Sequence, residues 1–61
     1  MNEYLFEYWY RYGNFQKEFD QESIISETEE KAREIVKTLK RWIITGSIKL
    51  ISINGVKVKV C

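Results

Sequence analysis

The chain has 61 residues, 44% hydrophobic and 15% aromatic, with one cysteine, no histidine, no proline and a formal net charge of +1. That length allows one domain, residues 1–61, and a single cysteine excludes an internal disulfide. The usual zinc donor sets and the usual general acid–base residue are missing, so no metal or cofactor is expected.

Small domains that lack disulfides and metals lean on a dense core, on oligomerisation or on a partner. No run approaches the roughly 18 apolar residues of a membrane span. The opening Met1-Asn2-Glu3-Tyr4 lacks the basic and apolar regions of a signal peptide. The lone Cys61 suits a reducing, cytoplasmic setting, and no neighbouring cation or second thiol activates it. Charge is divided along the chain. Residues 1–30 hold eight acids against Arg11 and Lys17, and residues 31–61 hold eight bases against Glu34. Such a division marks either a polyanion-binding half or two halves that attract each other in the fold.

The first element is a strand over residues 3–12. Its even positions are Tyr4, Phe6, Tyr8, Tyr10 and Tyr12, and its odd positions are Glu3, Leu5, Glu7, Trp9 and Arg11. This period-two alternation gives one aromatic face and one mixed face. Gly13-Asn14 tolerates the positive φ of a two-residue hairpin turn, so a second strand is expected over 15–25. The aromatic pairs favour a register with Tyr12 opposite Phe15, Tyr8 opposite Phe19 and Trp9 opposite Glu18. That register sets Glu7 against Asp20, a like-charge conflict that a bulge or a longer loop would relieve.

A helix follows. Ser26 with Glu29 forms a capping-box pattern and Thr28 competes as the N-cap. Ala32, Ile35, Val36, Leu39, Trp42 and Ile43 form an apolar helical stripe, and Gly46 is the expected terminator. Glu27, Glu29 and Glu30 near its start and Lys37, Lys40 and Arg41 near its end suit the helix dipole. Strands over 47–53 and 56–60 flank a second turn dipeptide, Asn54-Gly55, which places Ile53 opposite Val56 and Ile51 opposite Val58. Ile51, Ile53, Val56, Val58 and Val60 are expected on the helix side, with Ile48, Leu50, Ser52, Lys57 and Lys59 opposite.

The order ββαββ predicts an α+β two-layer sandwich, one helix on a four-stranded, mainly antiparallel sheet. Strand order 2-1-3-4 is favoured, because it keeps every pair antiparallel with a right-handed crossover; order 1-2-3-4 is the alternative.

One helix covers one face. The other face is expected to present Leu5, Glu7, Trp9, Arg11, Glu18, Asp20, Ile48, Leu50, Lys57 and Lys59. Trp and Arg are enriched at binding hot spots, and a contiguous apolar patch marks an interaction surface. The expected function is therefore a small non-enzymatic protein-binding protein, an adaptor or inhibitor of the kind carried by phages and mobile elements. It would bind a protein partner or a second copy through Leu5, Trp9, Arg11, Ile48 and Leu50.

The alternative is nucleic-acid binding through Lys40, Arg41, Lys49, Lys57 and Lys59, with strand aromatics as stacking surfaces should the tyrosine face point outward. The near-neutral charge leans against it. Glu18, Asp20 and Glu22 alternate on strand two without the turn and carbonyl ligands of a cation site, and read as a solvated strand face.

Overall fold

The computed structural model describes residues 1–13 and 16–58. The elements in chain order are β1 (Asn2–Tyr12), β2 (Gln16–Ser26), α1 (Glu29–Val36), a short 3₁₀ turn (Thr45–Ser47), β3 (Lys49–Ile53) and β4 (Val56–Lys57). The four strands form one sheet in the order β2-β1-β3-β4, with every pair antiparallel. The α+β sandwich and the favoured strand order are thus both present.

The helix covers the tyrosine face. Tyr4, Phe6 and Tyr8 of β1 are buried with Ile24 of β2, Ala32 and Val36 of α1 and Ile48 before β3, while Tyr10, Ile43, Leu50 and Ile53 pack against this cluster. Arg33 reaches across from α1, its guanidinium 5.4 Å from the centre of the Phe6 ring and 3.3 Å from the Ile48 carbonyl it donates to. The aromatic positions end up inside because only they offer the apolar stripe of α1 a partner wide enough to exclude water.

Three expectations change. The β1–β2 register is shifted by one residue: Tyr12 pairs with Gln16, Trp9 with Phe19, Tyr8 with Asp20 and Glu7 with Gln21. Asn14 and the expected Tyr12–Phe15 partner lie outside the described residues. The shift removes the Glu7–Asp20 conflict and forms an edge-to-face Trp9–Phe19 pair with ring centres 5.3 Å apart. A one-residue slip exchanges the faces of a strand. Glu18, Asp20 and Glu22 therefore lie on the helix side, opposite Tyr10, Tyr8 and Phe6, and Phe19 and Ile25 lie on the open side.

The β1–β3 pairing is interrupted by an irregularity between Leu5 and Phe6, where Leu5 pairs with Ser52 but Phe6 with Leu50. Ile51 is the extra residue of this bulge. The first half of β3 consequently turns its faces over, so Leu50 packs on the core and Ile48 is buried in it, both opposite to expectation. Beyond the bulge the expected hairpin holds: Asn54 and Gly55 take φ of 52° and 82°, Ile53 pairs with Val56, and the Val58 N–H donates to the Ile51 carbonyl. Of the expected strand 56–60, Lys59 and Val60 lie outside the described residues, as does Cys61.

The helix is half the expected length. Thr28 is its N-cap, the hydroxyl accepting from the Lys31 N–H at 3.2 Å, whereas Ser26 is the buried last residue of β2. After Val36 the bonding tightens to Thr38→Ile35 and Leu39→Val36, and the Thr38 hydroxyl donates to the Ile35 carbonyl at 2.7 Å. The chain then leaves the helical path because its backbone is needed elsewhere. The Trp42 carbonyl accepts from Arg11 N–H at 3.0 Å, and Ile44 N–H donates to the Trp9 carbonyl at 2.9 Å, extending the sheet past the end of β3. Gly46 sits in the 3₁₀ turn rather than at a helix end.

The divided charge is partly internal. Among the described residues, Glu27–Lys31, Glu29–Arg33 and Asp20–Lys40 (3.7 Å) join the acidic half to the basic half, while Glu34–Lys37 lies within the basic half.

Candidate functional site: an open sheet face and a basic aromatic groove

Alternation along β1 sends Leu5, Trp9 and Arg11 to the face that α1 leaves uncovered. Cross-strand pairing brings Ile25, Phe19 and Lys17 of β2 to the same face, opposite Glu3, Trp9 and Arg11. Trp9 and Phe19, 43% and 46% exposed, form its centre, with Ile25 more open still at 66%. Leu5 is half-buried beside them, between Ser23 and Ser52. Glu7 and Lys49 are cross-strand partners on this surface, and Lys57 lies at its β4 margin opposite Ser52.

Of the five residues expected to form a protein-binding surface, Leu5, Trp9 and Arg11 therefore share the open face. Ile48 and Leu50 do not, because the bulge redirects them to the core. Phe19 and Ile25 take their place. Both were legible as apolar residues on β2, but their face depends on a register that turn chemistry left one residue uncertain.

The basic residues of the alternative reading are dispersed. Lys49 pairs across the sheet with Glu7 and Lys57 lies on β4, whereas Lys40 and Arg41 lie in the turns after α1; Lys59 is outside the described residues. The stacking face is largely closed as well, since Tyr4, Phe6 and Tyr8 are core.

A different constellation does come together. Where α1 stops short, Tyr10, Arg11, Tyr12 and Gly13 of the first hairpin and Lys40, Arg41 and Trp42 of the following turns line a groove of about 560 Å³. Tyr12 and Trp42 are 65% and 56% exposed. Lys40 Nζ lies 5.0 Å from the centre of the Tyr10 ring, and the Arg41 guanidinium lies 5.2 Å from that of Trp42. No carboxylate lines the groove.

The apolar stripe in the sequence places Trp42 on the buried side of a long helix, so the groove is not legible there. The one available signal was the local density of Lys40-Arg41-Trp42 facing an aromatic strand.

Burial, followed by the charges of Asp20 and Glu22 and by Tyr10, pushes the Tyr8 phenol up to about 12. Among the described residues no group of three His, Cys, Asp or Glu side chains could hold a metal ion, and no helix is long and apolar enough to cross a membrane.

No protein-family model, no curated protein and no solved structure matches this chain.

Proposed function

We propose that this chain is a non-enzymatic binding protein that works through the open face of its sheet, and that the occupant of that face is a second copy. The observation that carries the reading is the exposed Trp9–Phe19 pair at the middle of a layer that the helix shields on its other side only.

Three physical arguments support a second copy. The core is thin, with seven buried hydrophobic residues among those described, and a chain of this size gains disproportionately from shielding a second apolar layer. The molecule is a flat slab of 37 × 23 × 15 Å, whose broad face is on the order of the ~800 Å² that each partner commits to a stable interface. Charge on the face is also graded along β1, from Glu3 and Glu7 at one end to Arg11, opposite Lys17, at the other. Two sheets stacked with β1 strands running in opposite directions set Arg11 and Lys17 of one copy over Glu3 and Glu7 of the other, a self-complementary arrangement of the kind a two-fold axis requires.

Sedimentation equilibrium over micromolar to millimolar concentrations tests this. The wild-type chain is expected to dimerise, and Trp9→Ala and Phe19→Ser are each expected to return it to a monomer with an unchanged circular-dichroism spectrum. A wild-type chain that stays monomeric throughout that range overturns the second-copy reading. So does a dimer that survives both substitutions, which would place the contact at a sheet edge.

A further inference from the structure

We infer that the groove between the first hairpin and the turns after α1 is a second, separate binding site, and that its ligand is single-stranded nucleic acid. The inference does not rest on the sheet-face reading: apart from Arg11, which both readings use, the groove is built from the helix-side aromatics Tyr10 and Tyr12, from Gly13 and from residues 40–42.

The composition of the lining selects the ligand. Three of its seven residues are aromatic and three are cationic, and none is acidic. A cationic ligand is repelled, and a purely apolar one covers Arg11 and Arg41 without giving them a partner. A polyanion with flat, stackable units meets both needs: the rings take bases and the cations take phosphates. The rings are available for this. Trp42 and Tyr12 are the most exposed aromatic side chains among the described residues, and neither is needed to complete the core.

The cations are available too. Lys40 shares Asp20, but among the described residues Arg11 and Arg41 form no ion pair. Arg11 lies directly across the strands from Lys17, a like-charge pairing that is unfavourable unless an anion lies between them. The cations thus continue past the groove along the end of the hairpin, giving a backbone somewhere to run. The groove volume lies within the roughly 300–1,000 Å³ of small-ligand sites, suited to a few nucleotides.

The test is fluorescence anisotropy with a labelled oligothymidylate of about 15 nucleotides, alongside a duplex of equal length and labelled heparin. Titrations use the full chain at about 20 and about 200 mM salt. Expected is binding to the oligothymidylate that exceeds binding to duplex and heparin. Its log–log salt slope should be near −2, as three phosphate contacts on a single strand require.

Trp42→Ala and Tyr12→Ala should each weaken it about 5- to 100-fold, the range that loss of one stacked base produces. Trp42→Phe should restore most of the loss, and Arg41→Gln should flatten the salt slope. Absence of binding at low salt overturns the inference. So does binding to heparin or duplex equal to that of the single strand, or binding that both alanine variants leave unchanged while their circular dichroism stays native. Repeating the titration with Trp9→Ala separates the two sites: that variant is expected to lose dimerisation and keep oligothymidylate binding.

Discussion

The Ser47 hydroxyl bridges the turn after α1 to the central strand: it accepts from the Trp9 N–H at 2.9 Å and lies 2.6 Å from the Ile44 carbonyl, to which it donates. Together with the Ile44–Trp9 and Arg11–Trp42 backbone bonds, it fastens residues 42–47 along the part of β1 that β3 does not reach. Ser47→Ala should therefore cost about 1–2 kcal/mol, because it leaves the Trp9 N–H without its partner. Native-state hydrogen exchange should show the Trp9 and Ile44 amides exchanging faster while those of α1 keep their protection. Uniform loss across the molecule would mean that the segment is not a local clasp.

Tyr8 is fully buried, and its hydroxyl has no hydrogen-bond partner among the described residues. A buried hydroxyl without a partner is a liability, so Tyr8→Phe is expected to raise stability by about 1 kcal/mol, read as a higher urea midpoint at unchanged m.

The same residue sets an alkaline limit. Its folded pKa of about 12 stands above the ordinary value of 10.0, so between these two values the folded state holds a proton that the unfolded state has lost. The unfolded state binds fewer protons there, and stability falls as pH rises. The contribution is complete below pH 10 and is lost by pH 12, on the order of 2–3 kcal/mol. Urea denaturation across that window should show the fall in the wild type and a shallower one in Tyr8→Phe.

Asn54 holds a left-handed backbone at φ 52° and also ties two chain segments together. Its Oδ1 accepts from Glu3 N–H at 2.8 Å, its Nδ2 donates to Asn2 Oδ1 at 2.9 Å, and its own N–H donates to the Glu3 carbonyl at 2.7 Å. Asn54→Ala removes both side-chain bonds and places a Cβ-bearing residue with no local compensation in the left-handed region, for an expected loss of about 2–3 kcal/mol. Asn54→Gly keeps the turn and loses only the bonds, so about half that loss is expected. Comparison of the two thermal midpoints separates conformational strain from bonding.

Phe6 has no exposure and lies under the Arg33 guanidinium of α1, so it is a core position shared by both layers. Phe6→Ala should cost about 3–5 kcal/mol, against a total of roughly 3–9 kcal/mol for a chain of this length. The variant should be largely unfolded by circular dichroism at room temperature. A cooperative melt close to wild type would show that the core is not centred there.

What the amino-acid order determined by itself is local. Period-two aromatics from Tyr4 to Tyr12, the turn dipeptide at Asn54-Gly55, a cap at Ser26 or Thr28 and the apolar Ala32 and Val36 suffice for the elements, for the ββαββ order and for the burial of Tyr4, Phe6 and Tyr8. Each depends on a residue and its near neighbours. Antiparallel pairing and crossover handedness then favour the strand order without further information.

What tertiary structure decided are the places where two distant segments compete for the same groups. The helix stripe reads continuously to Ile43, but the open edge of β1 at Trp9 and Arg11 takes the backbone of residues 42–44. The helix therefore ends at Val36 and Trp42 stands in solvent. The register of β2 turns on pairing Trp9 with Phe19 rather than on turn type, and the bulge opposite Leu5 reverses Ile48 and Leu50. Both candidate sites depend on these long-range choices. A one-residue slip costs nothing in local propensity yet moves a whole set of side chains to the other face, so only the packed structure reveals which residues face outward.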